Sequence, residues 1–134
     1  MIGIDTNVLV RLLVRDHDAQ VRAAERFIAT HCSAEDPGFV ARVVIAEVAW
    51  VLRDFYEYDR AQVAGAIRGL LDVSEFELDA SDDVHAALRN FESSSAGFTD
   101  CLIARTNASA GCEHTVTFDR KASKVAGFKL LTAG

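Results

Sequence analysis

The chain has 134 residues, sets 20 Asp and Glu against 14 Lys and Arg for a formal net charge of −6, and is half hydrophobic. A domain of about this length buries roughly two-thirds of the surface its unfolded chain exposes, so it needs no disulfide, metal or partner merely to fold. One Pro, 8 Gly, 25% charged residues and 8% aromatics exclude a disordered, collagenous or low-complexity chain, and three cysteines exclude a disulfide scaffold.

Met1 to Ile4 reads as a short strand, after which Asp5, Thr6 and Asn7 supply cap-type residues before Val8, Leu9, Leu12 and Leu13 at helical spacing. A second helix runs from Asp16 or Asp18 to about His31, with Val21, Ala24 and Ile28 inward. Asp36-Pro37-Gly38 breaks the chain, and Gly38 to Ala41 is a brief strand. Val44, Val48, Val51, Leu52 and Phe55 then step along one buried helical stripe. Asp59 with Gln62 three residues on is a capping box for a helix carrying Val63, Ile67, Leu70 and Leu71, which makes a helical hairpin. Phe76 to Leu78 is a weak strand, and Ser81-Asp82-Asp83 caps a helix with Val84, Leu88 and Phe91. A polar loop over Glu92 to Gly97 leads to Thr99, an N-cap for a helix through about Ser109 that Gly111 ends. His114 to Phe118 is a β-branched strand, and a short helix and Phe128 to Leu131 complete the chain.

Strands spaced by helices imply βαβ crossovers, so the expected fold is α/β, a three-layer α/β/α sandwich on a central, mainly parallel sheet. No linker-like stretch or repeat interrupts the chain, so residues 1–134 are expected to form one domain. Cys32, Cys101 and Cys112 form no C-x-x-C pair and read as small buried hydrophobes of a reducing cytosol. The opening run holds Asp5 inside it, with Arg11 and Arg15 after it, unlike a signal peptide. The most apolar stretch, Phe39 to Leu52, is broken by Arg42 and Glu47 and is shorter than the ~20 residues a membrane span needs. The expectation is a cytoplasmic protein with no membrane contact.

In an open parallel sheet, ligands bind at the carboxyl ends of the strands. Asp5 follows the first strand, Asp119 follows the His114 to Phe118 strand, and Asp100 sits in a first helical turn on the same expected rim. Glu47 falls between Val44 and Val48, at the flank of the buried stripe. Clustered acids need cations, and few basic residues neighbour these positions in sequence, so a hard divalent ion fits. Each acid also reads as a helix cap or the partner of an arginine. Asp16, Asp18, Asp82 and Asp83 are assigned to capping alone. No G-x-G-x-x-G or G-x-x-x-x-G-K-[ST] occurs, and His17, His31, His85 and His114 lack ligand or triad spacing. Trp50 and Tyr56 are assigned to core or partner packing ahead of base stacking.

Ile4-Asp5-Thr6-Asn7, Ile45-Ala46-Glu47-Val48, Phe98-Thr99-Asp100-Cys101-Leu102-Ile103-Ala104 and Val116-Thr117-Phe118-Asp119 occur in this order over essentially the whole chain. With these four segments the sequence resembles the PIN-domain family, specifically the VapC-type toxins of type II toxin–antitoxin pairs. Position by position, the resemblance makes Asp5, Glu47, Asp100 and Asp119 the catalytic, metal-binding acids, with Thr6, Asn7 and Thr117 in support. It implies an endoribonuclease that uses one or two Mg²⁺ or Mn²⁺ ions to activate water against an RNA phosphodiester. It further implies a homodimer, a cognate antitoxin that inserts a basic side chain into the acidic pocket, and structured RNA such as tRNA as substrate.

A net charge of −6 sits awkwardly with RNA, since nucleic-acid affinity comes largely from neutralised phosphates. Residues 119–134, however, carry Arg120, Lys121, Lys124 and Lys129 against Asp119 alone, a local net of +3. Arg11, Arg15, Arg22 and Arg26 form a second stripe, diluted by Asp16, Asp18 and Glu25. Arg11, Arg15, Arg120, Lys121 and Lys124 are the candidate RNA contacts. Two other readings stay open. One is another carboxylate and Mg²⁺ phosphoryl-transfer enzyme, although phosphatases of the haloacid-dehalogenase type want an Asp where Asn7 stands. The other is a non-catalytic PIN-like module that binds RNA or protein.

Overall fold

The computed structural model describes residues 1–133. They form two compact units, one from Met1 to Ser81 and one from Asp82 onward.

The first unit contains β1 (Ile2–Gly3), α1 (Thr6–Val14), α2 (Asp18–His31), β2 (Gly38–Val40), α3 (Arg42–Asp54), α4 (Arg60–Leu71) and β3 (Phe76–Leu78). Its three strands lie in chain order and pair in parallel, Ile2 beside Gly38 and Gly38 beside Phe76. The Ile4 amide carries the first pairing one residue further, donating to the Phe39 carbonyl at 2.8 Å. Parallel neighbours joined by helices are the crossover arrangement expected from the sequence. At the centre of the sheet, a Cβ added to Gly38 would lie 2.9 Å from Ile4 Cγ1 and 3.2 Å from Cys32 Sγ, so only glycine lets these groups close up.

Helices α1 and α2 pack together, α1 also packs on α3, and α3 on α4, the expected hairpin. Ile4, Leu9, Val10, Val21, Val40, Ile45, Val48, Leu52, Val63, Ile67 and Leu70 are buried. The Asp59 and Gln62 capping box is present in both directions, at 2.8 and 2.9 Å. Helix α2 differs from expectation. Its cap is His17, whose Nδ1 accepts from the Gln20 amide at 3.2 Å, while Asp16 is drawn away to accept from the Tyr56 hydroxyl at 3.1 Å. Asp18 stays in the first turn, where a carboxylate suits the positive end of the helix dipole. Trp50 is 62% exposed, outside the core, whereas Tyr56 is half-buried and held through its hydroxyl.

In the second unit, α5 (Ser81–Glu92) leads to α6 (Phe98–Ser109), β4 (Thr115–Thr117), a 3-10 turn (Ala122–Lys124) and β5 (Phe128–Leu130). β4 and β5 are parallel, with Val116 beside Lys129. Val84, Ala87, Leu88, Phe91, Phe98, Cys101 and Leu102 are buried, and the rings of Phe91 and Phe98 meet edge to face at 6.0 Å. Three expectations need correcting here. Helix α6 is capped by Gly97, whose carbonyl accepts from the Cys101 amide, so Thr99 already lies inside the helix. Asp83 is buried instead of capping, because Arg105 Nε and Ser109 Oγ reach it at 3.0 and 2.6 Å. Cys112 is exposed, past the end of α6, while Cys32 and Cys101 are buried as expected. Gly111 ends that helix at φ +99°, a conformation that favours glycine. Every strand pair is parallel and every long connection helical, which is the α/β class read from the sequence. No helix among the described residues is long and apolar enough to cross a membrane.

Candidate active site

The chain leaves β1 through Ile4 and turns into α1 at Asp5, which has extended backbone (φ −84°, ψ 163°) and serves as the N-cap. Its Oδ1 accepts from the Thr6 amide at 2.8 Å. The Thr6 hydroxyl donates in turn to Oε1 of Glu47, on α3, at 3.3 Å. One residue therefore touches both carboxylates, through its backbone to Asp5 and through its side chain to Glu47. Neither acid has a Lys or Arg partner among the described residues. Both are exposed.

The exposure of Glu47 corrects the expectation that it borders the buried stripe. Ile45 and Ala49 are buried together with Val44, Val48 and Leu52, which turns the centre of that stripe away from Glu47 by roughly 130° at about 100° per residue. Asn7 is exposed at the second position of α1. Asp5 and Asn7 share the wall of an open cavity of about 550 Å³ with Val8, Arg11, Gln20 and Phe27. Gln20 and Phe27 were not singled out from the sequence. Their spacing of seven, with Ala23 and Ala24 between them, places them on one face of α2, and that periodicity was the available signal.

In the second unit, Thr117 ends β4, and its Oγ1 accepts from the Asp119 amide at 3.0 Å. Oδ1 of Asp119 accepts from the amides of Lys121 and Ala122 at 2.8 and 3.3 Å, at the entry to the 3-10 turn whose N-cap is Lys121, so one carboxylate oxygen is committed. Asp100 is half-buried in the first turn of α6. Thr6 thus contacts two carboxylates, through its amide and its hydroxyl, whereas Thr117 contacts only the backbone amide of Asp119.

The basic residues separate into two kinds. Arg11 donates to the Tyr56 hydroxyl at 3.3 Å and to the Gln20 amide oxygen, and lies 3.8 Å from Asp16. Arg15 pairs with Glu25 at 2.6 Å. Arg120, Lys121 and Lys124 are exposed and form no ion pair among the described residues.

Within either unit, no three His, Cys, Asp or Glu side chains among the described residues gather to hold a cation. The donor set nonetheless fits Mg²⁺ or Mn²⁺ by its chemistry. Asp5 and Glu47 offer hard carboxylate oxygens, exposed and without a protein cation, each with one oxygen anchored and the other unbonded among the described residues.

A VapC ribonuclease of Aquifex aeolicus (strain VF5) is 25% identical over 126 residues, covering 94% of this chain and 92% of its own length. The PIN-domain family profile matches residues 2–128, from before Asp5 to beyond Asp119. A match over nearly the whole length, on an α/β frame that carries its acids just past the ends of β1 and β4, establishes that the chain belongs to the PIN-domain family.

Proposed function

We propose that this chain is a Mg²⁺- or Mn²⁺-dependent endoribonuclease that acts as the toxin of a toxin–antitoxin pair. The observation that carries the reading is the Thr6 link between Asp5 and Glu47 at the carboxyl end of β1, in a chain of this family. One threonine holds two exposed carboxylates, and neither is paired with a protein cation among the described residues, which leaves both available to a hard divalent ion. The relative named as a ribonuclease supports RNA as the substrate. The family pattern supports adding Asp100 and Asp119 to the metal-binding set, and Asn7 and Thr117 to the supporting set. The profile runs through both units, which supports reading residues 1–134 as one domain. An antitoxin, a homodimer, structured RNA such as tRNA and a cytoplasmic setting complete the proposal, all on the family resemblance.

When bound, the cation neutralises charge on the scissile phosphate and acidifies water for the attack. The protein's own contribution is positional. Thr6 fixes the separation of Asp5 and Glu47, and the Thr117 and Lys121 contacts fix Asp119. Arg120, Lys121 and Lys124, free of protein ion pairs among the described residues, supply contacts to the RNA backbone. Arg11 and Arg15, the other candidates, already hold protein carboxylates. Asn7, where a haloacid-dehalogenase-type phosphatase needs Asp, disfavours the phosphatase alternative.

Cleavage of a labelled tRNA pool by the wild type and by Asp5→Asn, with Mg²⁺, Mn²⁺ or chelator, tests the reading. Asn caps helices as well as Asp does, so this variant keeps the bond to the Thr6 amide and loses the charge. Cleavage by wild type only with metal, lowered by more than about 100-fold in Asp5→Asn at unchanged melting temperature, is expected. Equal cleavage by both, or cleavage indifferent to chelator, overturns the assignment; retained toxicity of Asp5→Asn on expression points to the binding-only module.

A further inference from the structure

The sheet of β4 and β5 has one half-buried face, formed by Thr115, Thr117, Phe128 and Leu130, and one face in solvent. Val116 and Lys129 are register partners on the exposed face, and Phe118 and Leu131, the residues that directly follow the two strands, are exposed as well. Val116 is 52% exposed, Phe118 68% and Leu131 39%. Parallel sheets are normally covered on both faces, so a bare apolar face on one marks a surface awaiting a partner.

The surroundings of this face identify the partner by charge. Lys129 lies on it, and Arg120, Lys121 and Lys124 follow within six residues of Phe118. All four are exposed, and none forms an ion pair among the described residues. Residues 119–134 carry a net +3 on a chain whose total is −6. Protein interfaces are depleted of lysine at their centres, whereas a polyanion that also presents flat apolar rings matches an exposed aromatic ringed by cations. RNA is such a polyanion. Paired bases hide their faces in the duplex stack, so an aromatic side chain reaches a base only where the strand is unpaired.

We infer that Phe118 is a stacking platform for an unpaired base of the RNA substrate, with Arg120, Lys121 and Lys124 along the adjoining phosphates. The inference rests on the ribonuclease reading and deepens it: the strand segment engaged beside Asp119 is single-stranded. Phe118 directly precedes Asp119, and the ladder bond from the Leu131 amide to the Thr117 carbonyl (2.7 Å) and the Asp119 contacts anchor the backbone on either side of it. The ring therefore projects from a fixed piece of chain.

The test is fluorescence anisotropy with the full chain in chelator, using labelled oligouridylate and an RNA duplex of equal length, for wild type, Phe118→Ala and Phe118→Trp. Cleavage of tRNA with Mg²⁺ is followed in parallel for KM and kcat. Phe118→Ala is expected to weaken oligouridylate binding and raise KM by roughly tenfold, with kcat and duplex binding nearly unchanged, and Phe118→Trp to restore both. Oligouridylate binding and KM unchanged in Phe118→Ala overturn the platform while leaving the nuclease intact. Loss of self-association or of inhibition by a protein partner, with RNA binding unchanged, also overturns it and makes the face a protein interface. If the wild type cuts no RNA, the nuclease reading fails, and the anisotropy still decides the platform by itself.

Discussion

Thr6 joins local folding to the proposed chemistry within a single residue. Its amide is one of the donors left without an intrahelical partner at the start of α1, and Asp5 satisfies it. Its hydroxyl then holds Glu47, 41 positions further along the chain. Thr6→Val separates the two functions, because valine keeps the amide and the side-chain shape but cannot donate to a carboxylate. The bond is exposed, so its loss is expected to change stability by only about 0–1 kcal/mol. A carboxylate freed to rotate is a poorer cation ligand, and supporting bonds of this kind are worth about 10–100-fold in metal affinity or activity. A Mg²⁺ titration of tRNA cleavage checks this: the half-saturating concentration should rise for Thr6→Val while the melting temperature in chelator stays near wild type. An unchanged titration would make the bond incidental to metal binding.

At the scale of elements, local interactions were the more legible, although the caps of α2 and α6 fall on His17 and Gly97 and not on the Asp and Thr99 positions that the sequence suggests. The Asp59 and Gln62 box, the Asp5 cap and the Gly111 terminus lie within a few residues of what they fix, and each was readable. Glu47 was misplaced because Ile45 and Ala49, omitted from the stripe, determine which way α3 turns. Asp83 was misread for a complementary reason. Two acids at a helix start look alike in sequence, yet only the one facing α6 meets Arg105 and Ser109, a contact spanning 22 to 26 positions. The Asp83 side chain is 11% exposed and that of Arg105 45%. Arg105→Ala would remove this arginine from a buried carboxylate, a loss of about 1–3 kcal/mol given the half-exposed partner. Urea denaturation should show a lower midpoint at constant slope, with tRNA cleavage unaffected well below the transition. A midpoint shifted by less than the measurement error would show that Asp83 does not depend on Arg105.

For the whole molecule, the proposed ribonuclease activity raises the question of how an acidic protein would hold a polyanion. The sequence displays two basic stripes of similar size, and composition gives no means of choosing between them. Ion pairing does: Arg11 and Arg15 spend their charge on Asp16 and Glu25, whereas Arg120, Lys121 and Lys124 have no protein partner among the described residues. A cation already paired releases fewer counterions from RNA than an unpaired one, so the stripes should differ in salt dependence more than in affinity at any one ionic strength. Each unpaired cation that neutralises a phosphate of single-stranded RNA contributes about 0.7 to the slope of log affinity against log salt. The double variant Lys121→Ala with Lys124→Ala is therefore expected to flatten the slope by about 1.4 in chelator, where cleavage cannot interfere. Arg15→Ala should leave the slope within error, since it also releases Glu25. Anisotropy over a series of salt concentrations measures both. A flatter slope in Arg15→Ala and an unchanged one in the lysine double variant would move the RNA path to α1 and α2, and the platform at Phe118 would lose the cations it depends on.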